Sequence, residues 1–173
     1  MDTTDLKIIN YRGGVVRFRI PTDWEEEYEE DGGGTFYQAR SDSGTLRLNI
    51  LTFEAPADTP VAHDAEVEML APDATKFTTE VVRLRDGVAM IGYDEPSEER
   101  GERLMIRYWR ILQVVPPDHV RIAVFSYALL NKQFTDPAYI AELELLDREI
   151  RAAEFSSELG MTASPKKPWW RPW

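Results

Sequence analysis

The chain predicts an α+β layered domain, a largely antiparallel sheet with helices laid on its faces. Three observations lead there. Several short segments alternate apolar and polar residues with a period of two, as a sheet with one buried face requires. Tight-turn residues join most of these segments, which favours antiparallel neighbours. Two further segments repeat apolar residues at a spacing of three to four, the mark of helices packed on a layer.

The elements follow in order. A short apolar piece (Leu6, Ile8, Ile9) ends at Gly13-Gly14. A strand over 15–20 puts Val16, Phe18 and Ile20 on one face and Arg17 and Arg19 on the other. Pro21 stops it and Trp24 follows, a pattern expected at the border of a sheet. Seven acids in the nine positions Asp23–Asp31 repel one another, so this stretch is expected to be a solvated loop ended by Gly32-Gly33-Gly34. Strands over 35–40 and 45–53 flank the turn Ser41-Asp42-Ser43-Gly44 and form a hairpin. The second places Leu46, Leu48 and Ile50 on one face and Arg47, Asn49, Leu51 and Phe53 on the other. Thr59-Pro60 reads as a helix start, running to about Ala71, with Val61, Ala65 and Met69 inward, Ala62 and Leu70 as further candidates for that face, and Pro72 as the stop. Strands over 76–85 and 88–93 meet at Arg85-Asp86-Gly87, a strong hairpin signal. Asp94–Arg103 reads as a charged loop.

Strands over 104–115 and 119–127 carry apolar residues on both faces, which places them at the centre of the sheet, covered on both sides. Asp136 and Pro137 start a long helix, with Tyr139, Ile140, Leu143, Leu146 and Ile150 as its buried stripe and Ala153 or Phe155 closing it. The composition then changes. Residues 1–156 are expected to form one domain, and 157–173, rich in Pro and Trp, a tail. A chain of 173 residues suits one domain, burying roughly two-thirds of its unfolded surface.

Composition excludes several functions. With no cysteine there is no disulfide, no thiolate metal site and no Cys nucleophile. A net charge of −11 disfavours nucleic acid and anionic membranes, both of which are met with clustered Lys and Arg. No apolar run approaches the roughly 20 residues that span a bilayer, and Met1–Asp5 is not the start of a secretory signal, so a cytoplasmic location is expected.

Three motifs in sequence carry a resemblance. They are FRIPTDW at 18–24, the hairpin YQARSDSGTLRLNILTF at 37–53 with a helix behind it, and FSYALLNKQFTDPAYIAELELLDREIRAAEF at 125–155. In this order and spacing, over residues 8–156, the chain resembles the PsbP-like group, which includes the Ran-binding Mog-type proteins and many bacterial relatives. The resemblance implies an α/β/α sandwich around a central, mostly antiparallel sheet of six to seven strands. It also implies a binding or adaptor protein, in some bacterial relatives a chaperone, rather than an enzyme. It brings no catalytic position with it, and the Trp-rich tail stands outside its pattern.

No catalytic, cofactor-binding or metal site is assigned. His63 and His119 are the only side chains that titrate near neutrality by default, and no nucleophile motif such as G-x-S-x-G accompanies them. Gly32-Gly33-Gly34 lacks both the following helix and the Lys of a phosphate loop. The acid runs 25–31 and 94–103 lack the ligand order of an EF-hand. Trp24 and Trp109 read as core. Trp169, Trp170 and Trp173 sit in the tail without periodicity, and Trp is a typical interface anchor, so they are the expected protein contacts. The function expected is thus non-catalytic protein binding, of adaptor or chaperone type, by a monomer or weak homodimer without a cofactor. The alternative is a small-molecule carrier or enzyme with a pocket between sheet and helix.

Overall fold

The structure is a computed structural model and describes residues 5–30, 32–56 and 58–159. Two sheets and two helices make it. Strands β1 (Leu6–Tyr11), β2 (Val16–Pro21) and β10 (Glu154–Phe155) form a three-stranded sheet in the order β1-β2-β10. Strands β3 (Trp24–Tyr28), β4 (Gly33–Gln38), β5 (Thr45–Glu54), β6 (Val82–Arg85), β7 (Val88–Glu99), β8 (Glu102–Val115) and β9 (His119–Leu130) form a seven-stranded sheet in the order β3-β4-β5-β9-β8-β7-β6. Every pairing is antiparallel. Helix α1 (Ala65–Lys76) lies on one face of the large sheet, and α2 (Pro137–Arg151) with the small sheet covers the other. This is the expected α+β sandwich around a mostly antiparallel sheet.

The main core lies between the small sheet, α2 and the large sheet. Phe18 of β2 meets Phe36 and Phe125 edge-on, with centroids 5.3 and 5.1 Å away. Leu143, Leu146 and Ile150 of α2 are buried there, as their spacing predicts, whereas Ile140 turns outward and is 41% exposed. The Asp136 side chain accepts from the Ala138 N–H, and Pro137 opens the helix as expected. Trp24 and Trp109 are both core residues. Trp24 stacks on Tyr127, and the Trp109 indole donates to Asp147 at 2.8 Å.

Several expectations need correction. The strand after Gly14 does not join the 35–53 hairpin in one layer. It is the middle strand of the small sheet, and only Trp24 stands at a border, opening edge strand β3. The acid-rich stretch is thus partly a strand. Its repulsion is offset because Glu26 pairs with Lys7 at 2.9 Å, Glu27 accepts from Tyr37 at 2.5 Å, and Tyr28 packs edge-on against Phe36. Charged residues are also what an edge strand tolerates. Gly33 and Gly34 belong to β4 rather than to a loop. A Cβ on Gly34 would come within 3.0 Å of the Tyr11 and Phe36 rings, and only Gly32 takes a positive φ, 91°.

Helix α1 begins at Ala65, not Pro60, and it continues through Pro72. Pro72 lies on the exposed side, where water can satisfy the carbonyl its missing N–H leaves free. Beyond it, Ala74 is buried and Asp73 pairs with Arg110, so tertiary anchors hold the last turn. Met69, expected inside, is 47% exposed, and Leu70 and Ala74 take the inward places. Residues 76–81 are accordingly the helix end and a connection, and β6 is short. The charged run 94–103 is no loop either. It is the far end of the β7–β8 hairpin, turning at Arg100-Gly101. Pro96 is accommodated because β6 pairs only with Val88–Met90, leaving that part of β7 a free edge.

Candidate functional site

The face of the large sheet under α1 is only half covered. A helix is roughly 10 Å across, about the width of two strands at about 4.8 Å each, so one helix cannot roof seven strands. The opposite face has α2 and a second sheet. This face has α1 alone, seated over Ala89, Ile91, Tyr93, Leu112 and Val120 of β7, β8 and β9. The β5 side stays open.

Register places the residues of this face in rows, from the covered side to the open one. One row crosses the sheet as Tyr93, Tyr108, Ser126, Arg47, Thr35 and Glu27, and the next as Ile91, Arg110, Val124 and Asn49. The third runs Ala89, Leu112, Ile122 and Leu51, and Val120 and Phe53 end the series. Leu51 is 58% and Phe53 49% exposed, and Arg47 and Asn49 beside them are exposed as well. Ile122 and Val124, next across the strands, are half-buried. Two large apolar side chains thus stand in the open on a flat, hydrogen-bonded ribbon. That arrangement presents a preformed surface rather than a loop that must be ordered on contact.

The border between covered and open halves is rigid. Phe77, just past α1, stacks on Tyr93 (3.8 Å, 5° between planes), and Tyr93 stacks on Tyr108 (5.1 Å, 19°). Lys76 caps the stack with its Nζ 4.6 Å from the Phe77 centroid. Burial pushes the Tyr93 phenol above its ordinary value, so it stays a neutral donor. The Arg110–Asp73 ion pair stands in the next row and ties α1 down beside the opening.

A second concavity fits the alternative expectation of a pocket between sheet and helix. It measures 420 Å³ and lies between α2 and strands β6, β7 and β8. Four of its five charged groups are matched with each other, Arg107 with Asp94 and Arg151 with Asp147 at 2.6 Å, while Glu80 makes no ion pair among the described residues. Neither histidine lines it. His63 lies on the surface before α1, its Nδ1 3.1 Å from Asp64, and His119 opens β9 with its Nδ1 2.6 Å from Asp118. The arrangement offers no nucleophile beside a base. Among the described residues no group of three or more His, Asp or Glu is placed to hold a metal ion, and no helix is long and apolar enough to cross a membrane.

Trp169, Trp170 and Trp173 lie outside the described residues. Ser156 and Glu158, near the end of the described chain, are anchored to the sheet. Arg121, fully buried, donates to Gln113 Oε1 at 2.9 Å and to the carbonyls of Ser156 and Glu158 at 2.6 and 2.7 Å. It has no carboxylate partner among the described residues, and burial lowers its pKa from the ordinary value. The open face was not singled out by residue type. Its signal was present in the alternation, because Leu51 and Phe53 put apolar residues on the second face of a strand whose first face was already apolar.

Known structures share this architecture. A crystal structure from Bacteroides thetaiotaomicron aligns with 15% identity and a TM-score of 0.59, over 87% of this chain and 48% of that one. The present chain therefore spans about half the length of that protein. LpqN, involved in cell envelope biogenesis of Mycobacterium tuberculosis, aligns with 9% identity and a TM-score of 0.54, over 90% and 86% of the two chains. The Ran-binding protein Mog1p of Saccharomyces cerevisiae aligns at 13% identity, with a TM-score of 0.48, over 88% and 96%. The likeness to the Bacteroides structure and to LpqN is one of fold. No protein-family model matches the chain, and no curated protein does.

Proposed function

We propose that this is a non-catalytic protein-binding domain, an adaptor or chaperone-like module, whose docking surface is the open half of the large sheet. The observation that carries the reading is the pair Leu51 and Phe53, 58% and 49% exposed on a hydrogen-bonded strand, with Arg47 two rows away on the same face. A partner would lay an apolar ridge over Leu51 and Phe53 and bring an acceptor to the Arg47 guanidinium. The proposal assigns binding to residues 1–156 as one domain, in a cytoplasmic setting, with the protein a monomer or weak homodimer and residues 157–173 a separate tail. The side-chain chemistry on this face supports recognition better than turnover, since it contains no base beside a nucleophile.

Affinity capture from the native host with the full-length protein, read by mass spectrometry, tests the proposal. A protein enriched by the wild type and lost with both Arg47→Glu and Leu51→Glu is the expected result. Both substitutions fall on exposed strand positions and should leave the fold intact. An identical set of captured proteins from all three baits would remove this face from the function.

A further inference from the structure

A strand at the border of a sheet offers unpaired N–H and C=O groups, which folded proteins guard with charge, proline, bulges or shortness. The large sheet is guarded at both borders. Edge strand β3 carries Glu25, Glu26 and Glu27 in succession. At the other border β6 has four residues and a register shift between Arg83 and Arg85, and β7 beyond it holds Pro96 among Glu95, Glu98 and Glu99. Strand β1 of the small sheet is different: LKIINY, six residues without proline, acid or a break in register. Its one charge, Lys7, is engaged with Glu26 at 2.9 Å. Hydrogen-bond parity shows which of its groups face out. The Thr22 N–H donates to the Asp5 carbonyl at 2.9 Å, and Pro21, opposite Leu6, has no N–H to give. Lys7, Ile9 and Tyr11 therefore bond to β2, and the N–H and C=O of Leu6, Ile8 and Asn10 point away from it. Those outward groups meet no backbone partner among the described residues, and the Ile8 side chain is 53% exposed.

We propose that two copies of the chain associate weakly through this edge, β1 beside β1 in antiparallel sense about a two-fold axis at Ile8, which joins the two small sheets into one. A strand without acids or breaks is self-complementary under such an axis, whereas β3 would set acids against acids. Register selects Ile8. With the axis there, Ile8 meets the copy's Ile8 and Leu6 meets the copy's Asn10, so every outward residue of β1 finds a partner, and the exposed Ile8 side chains cover each other. An axis at Lys7 or Ile9 leaves Asn10 or Leu6 facing a residue outside β1, and the Lys7 axis also opposes two ammonium groups. The contact is small, below the about 1,200 Å² at which stable interfaces begin. Strand β3 also runs along the same border, as the Lys7–Glu26 pair and the Tyr11 and Tyr28 rings 6.3 Å apart show, so the acids of the two copies approach each other. The association is therefore weak and is strengthened by salt. The open half of the large sheet lies on the face away from the small sheet, so the dimer carries two copies of it. None of the residues of that surface enters this inference, which stands or falls apart from the function proposed above.

Sedimentation velocity of the full-length protein, from about 10 μM to 1 mM at about 20 and 300 mM sodium chloride, reads the mass. The expected result is a shift from monomer towards dimer with concentration, larger at the higher salt. Ile8→Lys, which places like charges on the axis, should abolish it while leaving the circular dichroism of the wild type, because Ile8 is exposed. Amide hydrogen exchange of the wild type gives a second reading that needs no substitution. The amides of Leu6, Ile8 and Asn10 should exchange fast when dilute and slow down as concentration rises, while those of Lys7 and Ile9 stay slow throughout. A monomer under every condition, a dimer that Ile8→Lys leaves intact, or slowed exchange at another edge and not at alternate residues of β1 overturns the proposal.

Discussion

At the scale of single residues, the Tyr127 neighbourhood shows how burial sets chemistry without making a site. Tyr127 stacks on Trp24 and donates to Glu142 of α2. Gly44 is required beside it, because a Cβ there would overlap the Tyr127 hydroxyl. Burial pushes the Glu142 carboxyl above its ordinary value of 4.5, more than the Tyr127 hydrogen bond pulls it down. A carboxyl raised in the folded state favours folding when protonated. That contribution is complete below the unfolded value and is lost as pH rises through the folded one. Glu142→Gln keeps an acceptor for Tyr127 and removes the ionisation. The variant should therefore gain stability relative to wild type as pH rises from 4.5 towards neutrality. Denaturation midpoints at several pH values check this, and parallel curves would show that Glu142 ionises without cost.

Among the elements, α1 is where local pattern and tertiary context disagree most. Thr59-Pro60 is a good helix start by composition, yet the helix begins at Ala65 and passes through Pro72. Leu70 and Ala74 on the buried face, together with the Arg110–Asp73 pair, outweigh the lost hydrogen bond. Restoring that bond with Pro72→Ala should raise unfolding stability by about 2 kcal/mol, the ~3 kcal/mol an interior proline costs less the ~1 kcal/mol by which it restricts the unfolded chain. Urea titration followed by far-UV circular dichroism measures it. A loss of stability would mean that the proline's restriction of the unfolded chain outweighs the bond. By contrast α2 matched its pattern at its start and, Ile140 apart, along its stripe, since its cap, its opening proline and its stripe are local features, although it ends at Arg151, before Ala153 and Phe155.

Over the whole molecule, charge and coverage dominate. A net charge of −11 spread over one small protein repels itself, and added salt screens that repulsion. The thermal midpoint should rise between about 20 and 300 mM sodium chloride as the screening length shortens. A falling midpoint would show that ion pairs such as Lys7–Glu26 and Arg19–Glu149, 2.9 and 2.7 Å, contribute more than the repulsion costs. Coverage is a matter of counting layers: two elements roof one face of the large sheet and one short helix roofs the other.

The alternation of β5, β8 and β9, the turns at Ser41–Gly44 and Asp86-Gly87, and the cap and stripe of α2 were legible from residues alone, because each depends on neighbours within a few positions. So were the two buried tryptophans. Whether a strand joins the large sheet or the small one, whether acids at 24–28 pair or stay solvated, and which half of a face remains open all depend on partners far along the chain. Val16 meets Phe155, and Arg47 lies between Thr35 and Ser126. Periodicity states which side chains share a face, while only packing decides what lies opposite, and the candidate surface exists because α1 is too narrow to cover it.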